Sequence, residues 1–234
     1  MENQLELPAA VIFDMDGVLV DSNPFHLQKW VDFLDRHRIS YRKEELPELI
    51  LGKRNDTAFR YFFGPDITRE QSRALSEELE EAFRRAFRPH AKPLPGLDAL
   101  IKECHAAGVP MAVASSAMRK NIEFVVDALG YRPYFRSIVS GDEVTHPKPD
   151  PEIYLKVAEQ LGIDPGDAVA FEDSYVGIGA VKNAGMKCVA IASTFPIETL
   201  EPLADLAVPS FEHISLEKLR ALFVAAGKPS QVGR

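Results

Sequence analysis

A chain of 234 residues with 46% hydrophobic and 26% charged residues has enough apolar material for a full core, as one large domain or a core with a smaller insertion. Its formal net charge of −8 excludes a general binder of nucleic acid or of anionic membrane, since both attract basic surfaces. A small phosphorylated ligand stays open, because its site needs only a few local cations and a metal. Apolar runs such as Ala112-Val113-Ala114 are far too short to span a bilayer, and residues 1–8 carry acidic side chains rather than the apolar run of a secretory signal. Cys104 and Cys188 fall on segments that read as a helix and a strand, so reduced, packed thiols and a cytoplasmic protein are expected.

In chain order, Ala9-Ala10-Val11-Ile12-Phe13 is a continuous apolar run ending in Asp14, the pattern of a buried strand. Residues 22–93 then carry helical patterns at 25–38, 56–63 and 69–87 and no convincing strand. From Pro95 onward, strands and helices alternate. Leu97, Leu100, Ile101 and Cys104 lie at helical spacing, with Gly108 placed to end the helix. A strand at 110–114 follows, then a helix marked by Ile122, Val125, Val126 and Leu129 and closed by Gly130, and a short strand at Ile138-Val139. Asp150-Pro151 reads as an N-cap with proline in the first helical position, and Gly162 stops the helix that carries Ile153, Tyr154, Val157, Ala158 and Leu161. A strand at 168–171, a helix at 175–184 and a strand at 189–192 complete the pattern, and residues 227–234 read as a disordered tail. The fold expected is α/β: a Rossmann-like, mostly parallel sheet flanked by helices, with an all-α cap inserted after the first strand. Residues 1–21 and 94–234 would form the core and 22–93 the cap, with hinges near Ser22-Asn23-Pro24 and at 92–96.

Ligands of an open parallel sheet sit beyond the carboxyl ends of its strands. Polar residues collect at those ends: Asp14-Met15-Asp16-Gly17, Ser115-Ser116, Lys148 in the loop after the third strand, and Glu172-Asp173-Ser174. A phosphate ester repels an anionic nucleophile, so a carboxylate attacks only where the charge is neutralised. Magnesium takes oxygen ligands, usually one or two carboxylates with water and substrate phosphate, and Asp14 and Asp173 supply those carboxylates. Lys148 adds a fixed positive charge and Ser115 a hydroxyl donor for the phosphoryl oxygens. Asp16, two residues along an extended segment, lies on the face of Asp14 and is placed to protonate a leaving alkoxide and later take a proton from water. Gly17 permits the tight turn behind them.

These motifs, with Lys148-Pro149-Asp150-Pro151 and Phe171-Glu172-Asp173-Ser174, resemble the haloacid dehalogenase superfamily, in its branch of phosphatases and sugar phosphomutases with an α-helical cap. The resemblance covers essentially the whole chain. It implies Asp14 as nucleophile, Asp16 as acid/base with its backbone carbonyl on Mg2+, Asp173 as a further metal ligand and Glu172 as support for a metal-bound water. A closer resemblance is to β-phosphoglucomutase-like members, matching Ser22 and His26 at the hinge and first cap helix, with Trp30 one turn on. His26 would then orient or release Asp16 as the cap closes. Gly52-Lys53-Arg54-Asn55 occupies the cap loop where the mutase places a basic residue for a distal phosphate. Asn55 falls on that position without a gap, Arg54 with a one-residue shift.

Each residue has a plainer reading. Asp173 or Ser116 would cap a helix, Ser115 end a strand, Lys148 face water, Glu172 be structural, His26 and Trp30 pack a hinge, and Lys53, Arg54 and Asn55 be solvated. Gly177-Ile178-Gly179 resembles a dinucleotide fingerprint but lies inside a helix, where close packing explains it. Arg84, Arg85 and Arg88 read as surface partners of Glu80 and Glu81 at i,i+4. The function expected is a phosphatase of a small phosphorylated metabolite, a sugar or polyol phosphate, acting without nucleic acid or membrane. A monomer is the expectation, with an oligomer left open. The alternatives are a β-phosphoglucomutase-type isomerase and, in another class, a phospho-acceptor signalling module.

Overall fold

The computed structural model describes residues 7–224. Six strands form one parallel sheet: β1 (Ala10–Phe13), β2 (Met111–Ser115), β3 (Phe135–Ser140), β4 (Ala168–Glu172), β5 (Lys187–Ile191) and β6 (Leu206–Val208), in spatial order β3-β2-β1-β4-β5-β6. The chain works outward from β1 to β3, then crosses to β4 on the other side of β1. The switch point, where ligands bind in such sheets, therefore lies between β1 and β4.

The helices fall into two groups. Between β1 and β2 lies an all-helical cap of α1 (Asn23–Arg36), α2 (Leu46–Ile50), α3 (Asn55–Phe63) and α4 (Arg69–Phe87). The others, α5 (Leu97–Ala106), α6 (Arg119–Ala128), α7 (Glu152–Leu161), α8 (Tyr175–Asn183), α9 (Ile197–Leu200) and α10 (Leu216–Val224), accompany the sheet. Alternate β1 side chains leave opposite faces. Val11 and Phe13 pack with Leu97, Ile101, Ile122 and Leu219, while Ile12 packs with Tyr154, Val157, Ile178 and Val181. The cap has an apolar cluster of its own, built on Trp30, Phe33, Leu46, Phe59 and Leu79. Phe83 and Phe87 of α4 join the cluster of Val11 and Phe13 instead, so the cap is packed on the sheet side as well as on itself.

The chain enters and leaves the cap at one place. Val20 forms an antiparallel bridge with Pro93, and the Leu94 amide donates to the Leu19 carbonyl at 3.1 Å. Ser22, the residue before α1, makes no capping bond there, because its hydroxyl is used in the site.

The expected alternation is present, with β3 the strand most extended beyond its reading, since it begins at Phe135. α7 begins one residue later than expected, with Pro151 at its N-cap position, and Asp150 just ahead of it accepts from the Glu152 amide at 2.9 Å. β6, α2 and α9 carry too few periodic residues to be read, whereas α10, with Leu216, Leu219 and Phe223 at helical spacing, is an element that sequence reasoning missed. Cys104 and Cys188 are free and buried, and burial pushes the Cys104 thiol up to about 12, which disfavours the thiolate. No helix among the described residues is long and apolar enough to cross a membrane. The tail at 227–234 lies outside the described residues.

Candidate active site

The ladder brings the acids together. Phe13 pairs with Phe171, and the Asp14 amide extends the pairing to the Phe171 carbonyl at 3.1 Å, so Asp14 meets Glu172 and Asp173 at one sheet edge. Lys148 is buried at 6% exposure and spends its ammonium there, donating to Asp14 Oδ1 at 2.7 Å, Glu172 Oε1 at 2.5 Å and the Ala114 carbonyl at 3.3 Å. Tyr154 donates its hydroxyl to Glu172 Oε1 at 2.6 Å. Lys148 is therefore no solvated loop residue. Burial alone would lower its ammonium, but Asp14 and Glu172 outweigh that and hold it above the ordinary lysine value.

Asp14, Glu172 and Asp173 bring ligand oxygens within 4.8 Å of one another. Burial raises the Asp14 carboxyl well above its ordinary value; Lys148 opposes this, and the neighbouring carboxylates add to it. Burial and then Glu172 push Asp173 up to about 8. One ammonium does not balance three buried carboxylates. A donor set made only of hard oxygens, short of positive charge, fits a hard divalent cation such as Mg2+.

Asp173 is also held from two segments that sequence reasoning missed. Its Oδ2 accepts from Asn23 Nδ2 at 3.0 Å and from the Thr194 hydroxyl, and Asn23 Nδ2 also reaches Thr194 Oγ1 at 2.6 Å. A Cβ on Gly17, whose φ is 76°, would collide with the Asp173 carboxylate, so this position requires glycine.

Asp14 and Asp16 both face a cleft of about 950 Å³, while Met15 between them is buried in the core. That volume is at the upper end of small-molecule sites, roughly 300–1,000 Å³. Asp16 Oδ1 accepts from Ser22 Oγ at 2.5 Å and lies 2.8 Å from His26 Nε2, whose ring stacks on Phe83. Burial opposes the charged form of Asp16, but His26, Ser22 and Lys29 together hold its carboxyl below the ordinary value. Trp30 packs against Phe33, Phe59 and Phe62 in the cap core and also reaches the cleft wall.

Ser115 ends β2 in the cleft. Ser116 is not the cap of α6, contrary to its plainer reading: Asp142 takes the Arg119 amide at 2.8 Å, and Ser116 donates to the Gly52 carbonyl at 3.1 Å. A Cβ on Gly52 would run into Ser174, so glycine lets the cap loop approach the core. Lys53, Arg54 and Asn55 line the cleft, each already engaged. Lys53 donates to the Glu48 carbonyl at 2.5 Å, Arg54 to Val144 O and Asp56 at 3.1 Å each, and Asn55 to Glu80 Oε1 at 2.7 Å.

Glu80 overturns the expectation of surface pairing on α4. It is 4% exposed and accepts from Lys29 Nζ at 2.5 Å and from Asn121 Nδ2, on α6, at 2.5 Å. Arg84 turns to Asn121 Oδ1 at 2.6 Å, and Arg88 lies over the Phe124 ring. The sequence did hold a signal: Glu80, Phe83 and Phe87 share the buried stripe of one helix. The Gly177 reading is borne out, because the Glu172 carboxylate packs where a Cβ would stand.

The Glu80 pair has a testable acid signature. Burial raises the Glu80 carboxyl, but Lys29 foremost, then His26 and Asn55, hold it below the ordinary glutamate value. Its stabilising contribution is then complete above the unfolded value, about 4.3, and is lost as pH falls through the lower folded value. The stability gap between the native chain and Glu80→Gln, from urea midpoints, should shrink on acidification below about pH 5. A gap constant down to about pH 3 would remove the ion pair as its source.

Residues 11–191 match the family model described as haloacid dehalogenase-like hydrolase. The chain belongs to this family. The haloacid dehalogenase-like chain is 33% identical over 185 residues to fructose-1-phosphate phosphatase YqaB of Escherichia coli strain K12, covering 77% of this chain and 95% of that protein. Hexitol phosphatase B of the same organism is 30% identical over 217 residues, covering 90% and 96%. In fold, the hydrolase is similar to β-phosphoglucomutase from Clostridium difficile, with a TM-score of 0.83 at 24% identity over 93% of this chain and 98% of that one.

Proposed function

We propose that this hydrolase is a Mg2+-dependent phosphatase of a small phosphorylated metabolite, in the sugar or polyol phosphate class, working through an aspartyl phosphate on Asp14. The observation that carries the reading is the contact of Lys148 with Asp14 beside Glu172 and Asp173, at the sheet edge where Asp16 also enters the cleft. The phosphatases named among its relatives support the substrate class. The carboxylates of Asp14 and Asp173, with the backbone carbonyl of Asp16, would hold the cation, and Glu172 would support a bound water. When bound, Mg2+ supplies the positive charge that lets a carboxylate approach an anionic ester.

Asp14 attacks phosphorus and the bond to the leaving oxygen breaks; the anionic phosphate bound beside Asp16 favours its protonated form, and Asp16 gives that proton to the leaving oxygen. Asp16 then takes a proton from water, whose oxygen attacks phosphorus and frees the Asp14 carboxylate and inorganic phosphate. Lys148 and the Ser115 hydroxyl stabilise the charge on the transferred group. Residues 22–93 act as a cap over a core formed by the described parts of 1–21 and 94–234. Ser116, His26, Gly52, Lys53, Arg54 and Asn55 surround the leaving group, His26 also orienting Asp16 from the cap side.

The test is phosphate release from p-nitrophenyl phosphate with Mg2+, then from β-glucose 1-phosphate with its bisphosphate activator. Sustained release is expected. Chelation by EDTA should lower turnover by about 100-fold or more, with recovery on adding Mg2+. Borohydride reduction during turnover should convert residue 14 to homoserine, read by peptide mass spectrometry. No release from any ester would overturn the proposal, and glucose 6-phosphate without matching phosphate would replace it with a mutase.

A further inference from the structure

The residues that begin α1 belong to the cap, yet their side chains bind acids of the core. Ser22 and His26 reach Asp16, and Asn23 reaches Asp173. Asn23 is 7% exposed and forms a closed triangle with Thr194 and Asp173. Its Nδ2 donates to Asp173 Oδ2 at 3.0 Å and to Thr194 Oγ1 at 2.6 Å, and the Thr194 hydroxyl donates to the same Asp173 Oδ2. A hydroxyl has one proton to give, so an Asn23 donor on its oxygen leaves the Thr194 proton for the carboxylate. Asn23 therefore fixes Asp173 twice, directly and through Thr194.

The two partners of Asp173 differ in what carries them. Thr194 lies in the loop after β5 and stays with the core, whereas Asn23 is the first residue of α1 and moves with the cap. Among the described residues, Asn23 is the one cap side chain hydrogen-bonded to the group of Asp14, Glu172 and Asp173. The cap also meets the core through Ser116 on the Gly52 carbonyl, Arg54 on the Val144 carbonyl and Asn121 on Glu80, and none of these bonds involves those three acids. A cap swinging on its hinge takes the Asn23 amide off Asp173 and frees the Thr194 hydroxyl to turn to water.

We propose that Asn23 couples the cation site to the cap: it positions Asp173 for Mg2+, and bound Mg2+ in turn holds the cap docked on the core. Asn23 is a positioning residue and acts through Asp173. This rests on the Mg2+ part of the phosphatase reading. Both contacts require one orientation of the same carboxylate, so whichever forms first removes freedom that the other would have to remove. By linkage, the factor by which docked Asn23 strengthens cation binding equals the factor by which the cation favours docking.

The test is calorimetric titration of the native chain and of Asn23→Leu with Mg2+ alone. Leucine has the shape of asparagine without its donors. Kd should rise about 10- to 100-fold in the variant, the usual effect of removing a partner that orients a ligating group. A merely structural role would lower the urea midpoint in EDTA and leave Kd within about twofold, which would overturn the proposal. Hydrogen exchange reads the coupling itself. In the native chain, saturating Mg2+ should slow amide exchange around residues 20–28 and 92–96 by about tenfold or more, and in Asn23→Leu, at its own saturating Mg2+, by less than about twofold. Thr194→Val, a core change that keeps the Asn23 contact, should weaken Mg2+ and preserve the slowing. Equal slowing in Asn23→Leu, or its loss in Thr194→Val, would overturn the coupling. So would its absence from the native chain, a measurement that needs no variant to fold. A native chain that binds no Mg2+ would overturn the Mg2+ reading and this proposal together, whereas Mg2+-dependent phosphate release with an unshifted Kd in Asn23→Leu would overturn this proposal alone.

Discussion

Asp14→Asn is expected to abolish phosphate release, by roughly 10,000-fold or more, and to leave the fold intact. Asparagine has the same shape and keeps the carbonyl oxygen that Lys148 contacts, but its amide does not form the acyl phosphate. Stability should not suffer. Asp14 is a buried acid whose carboxyl is raised by burial and by Glu172, Asp173 and Asp16, so its charged form at neutral pH opposes folding. Removing that charge in metal-free protein should leave the urea midpoint unchanged or higher. Substantial turnover in a folded Asp14→Asn protein, with deamidation excluded by mass spectrometry, would remove Asp14 as the nucleophile.

Lys148→Met has the opposite profile, a large loss of stability together with activity. The ammonium is the common partner of Asp14 and Glu172, each buried. Methionine fills the space and leaves two carboxylates facing one another with Tyr154 as the remaining side-chain donor to Glu172 Oε1. Breaking a buried pair from one side costs about 3–5 kcal/mol, and that loss is expected at pH 7 in EDTA from urea denaturation. Turnover of the folded fraction should fall by about 100-fold or more, as when a preorganised charge is removed from a reacting anion. A stability loss below about 1 kcal/mol would show that the acids do not depend on Lys148 for their charge balance.

What the sequence made legible follows from topology. A parallel sheet sends every strand end to one edge, so Asp14, Ser115, Lys148 and Asp173 were readable as neighbours from strand order alone. Side chains brought in by tertiary packing were not. Asn23 and Thr194 reach Asp173 from a cap helix and a loop after β5, and neither carries a local pattern. Lys29, Glu80 and Asn121 come from three helices, and pairwise helix rules assigned Glu80 to Arg84. Those rules describe an isolated helix in water. Here α4 buries that face against α1 and α6, and a buried carboxylate goes to the partners that satisfy most of its lone pairs. β6 escaped notice because three residues give no periodicity, and its order comes from pairing with β5.

The bridge between Val20 and Pro93 has an evolutionary corollary. Because departure and return are stitched together, the span between them is a closed loop as seen by the sheet, and changing its length alters closure entropy only logarithmically. The helical span between them can therefore change in length without moving the sheet edge that carries Asp14 and Asp173.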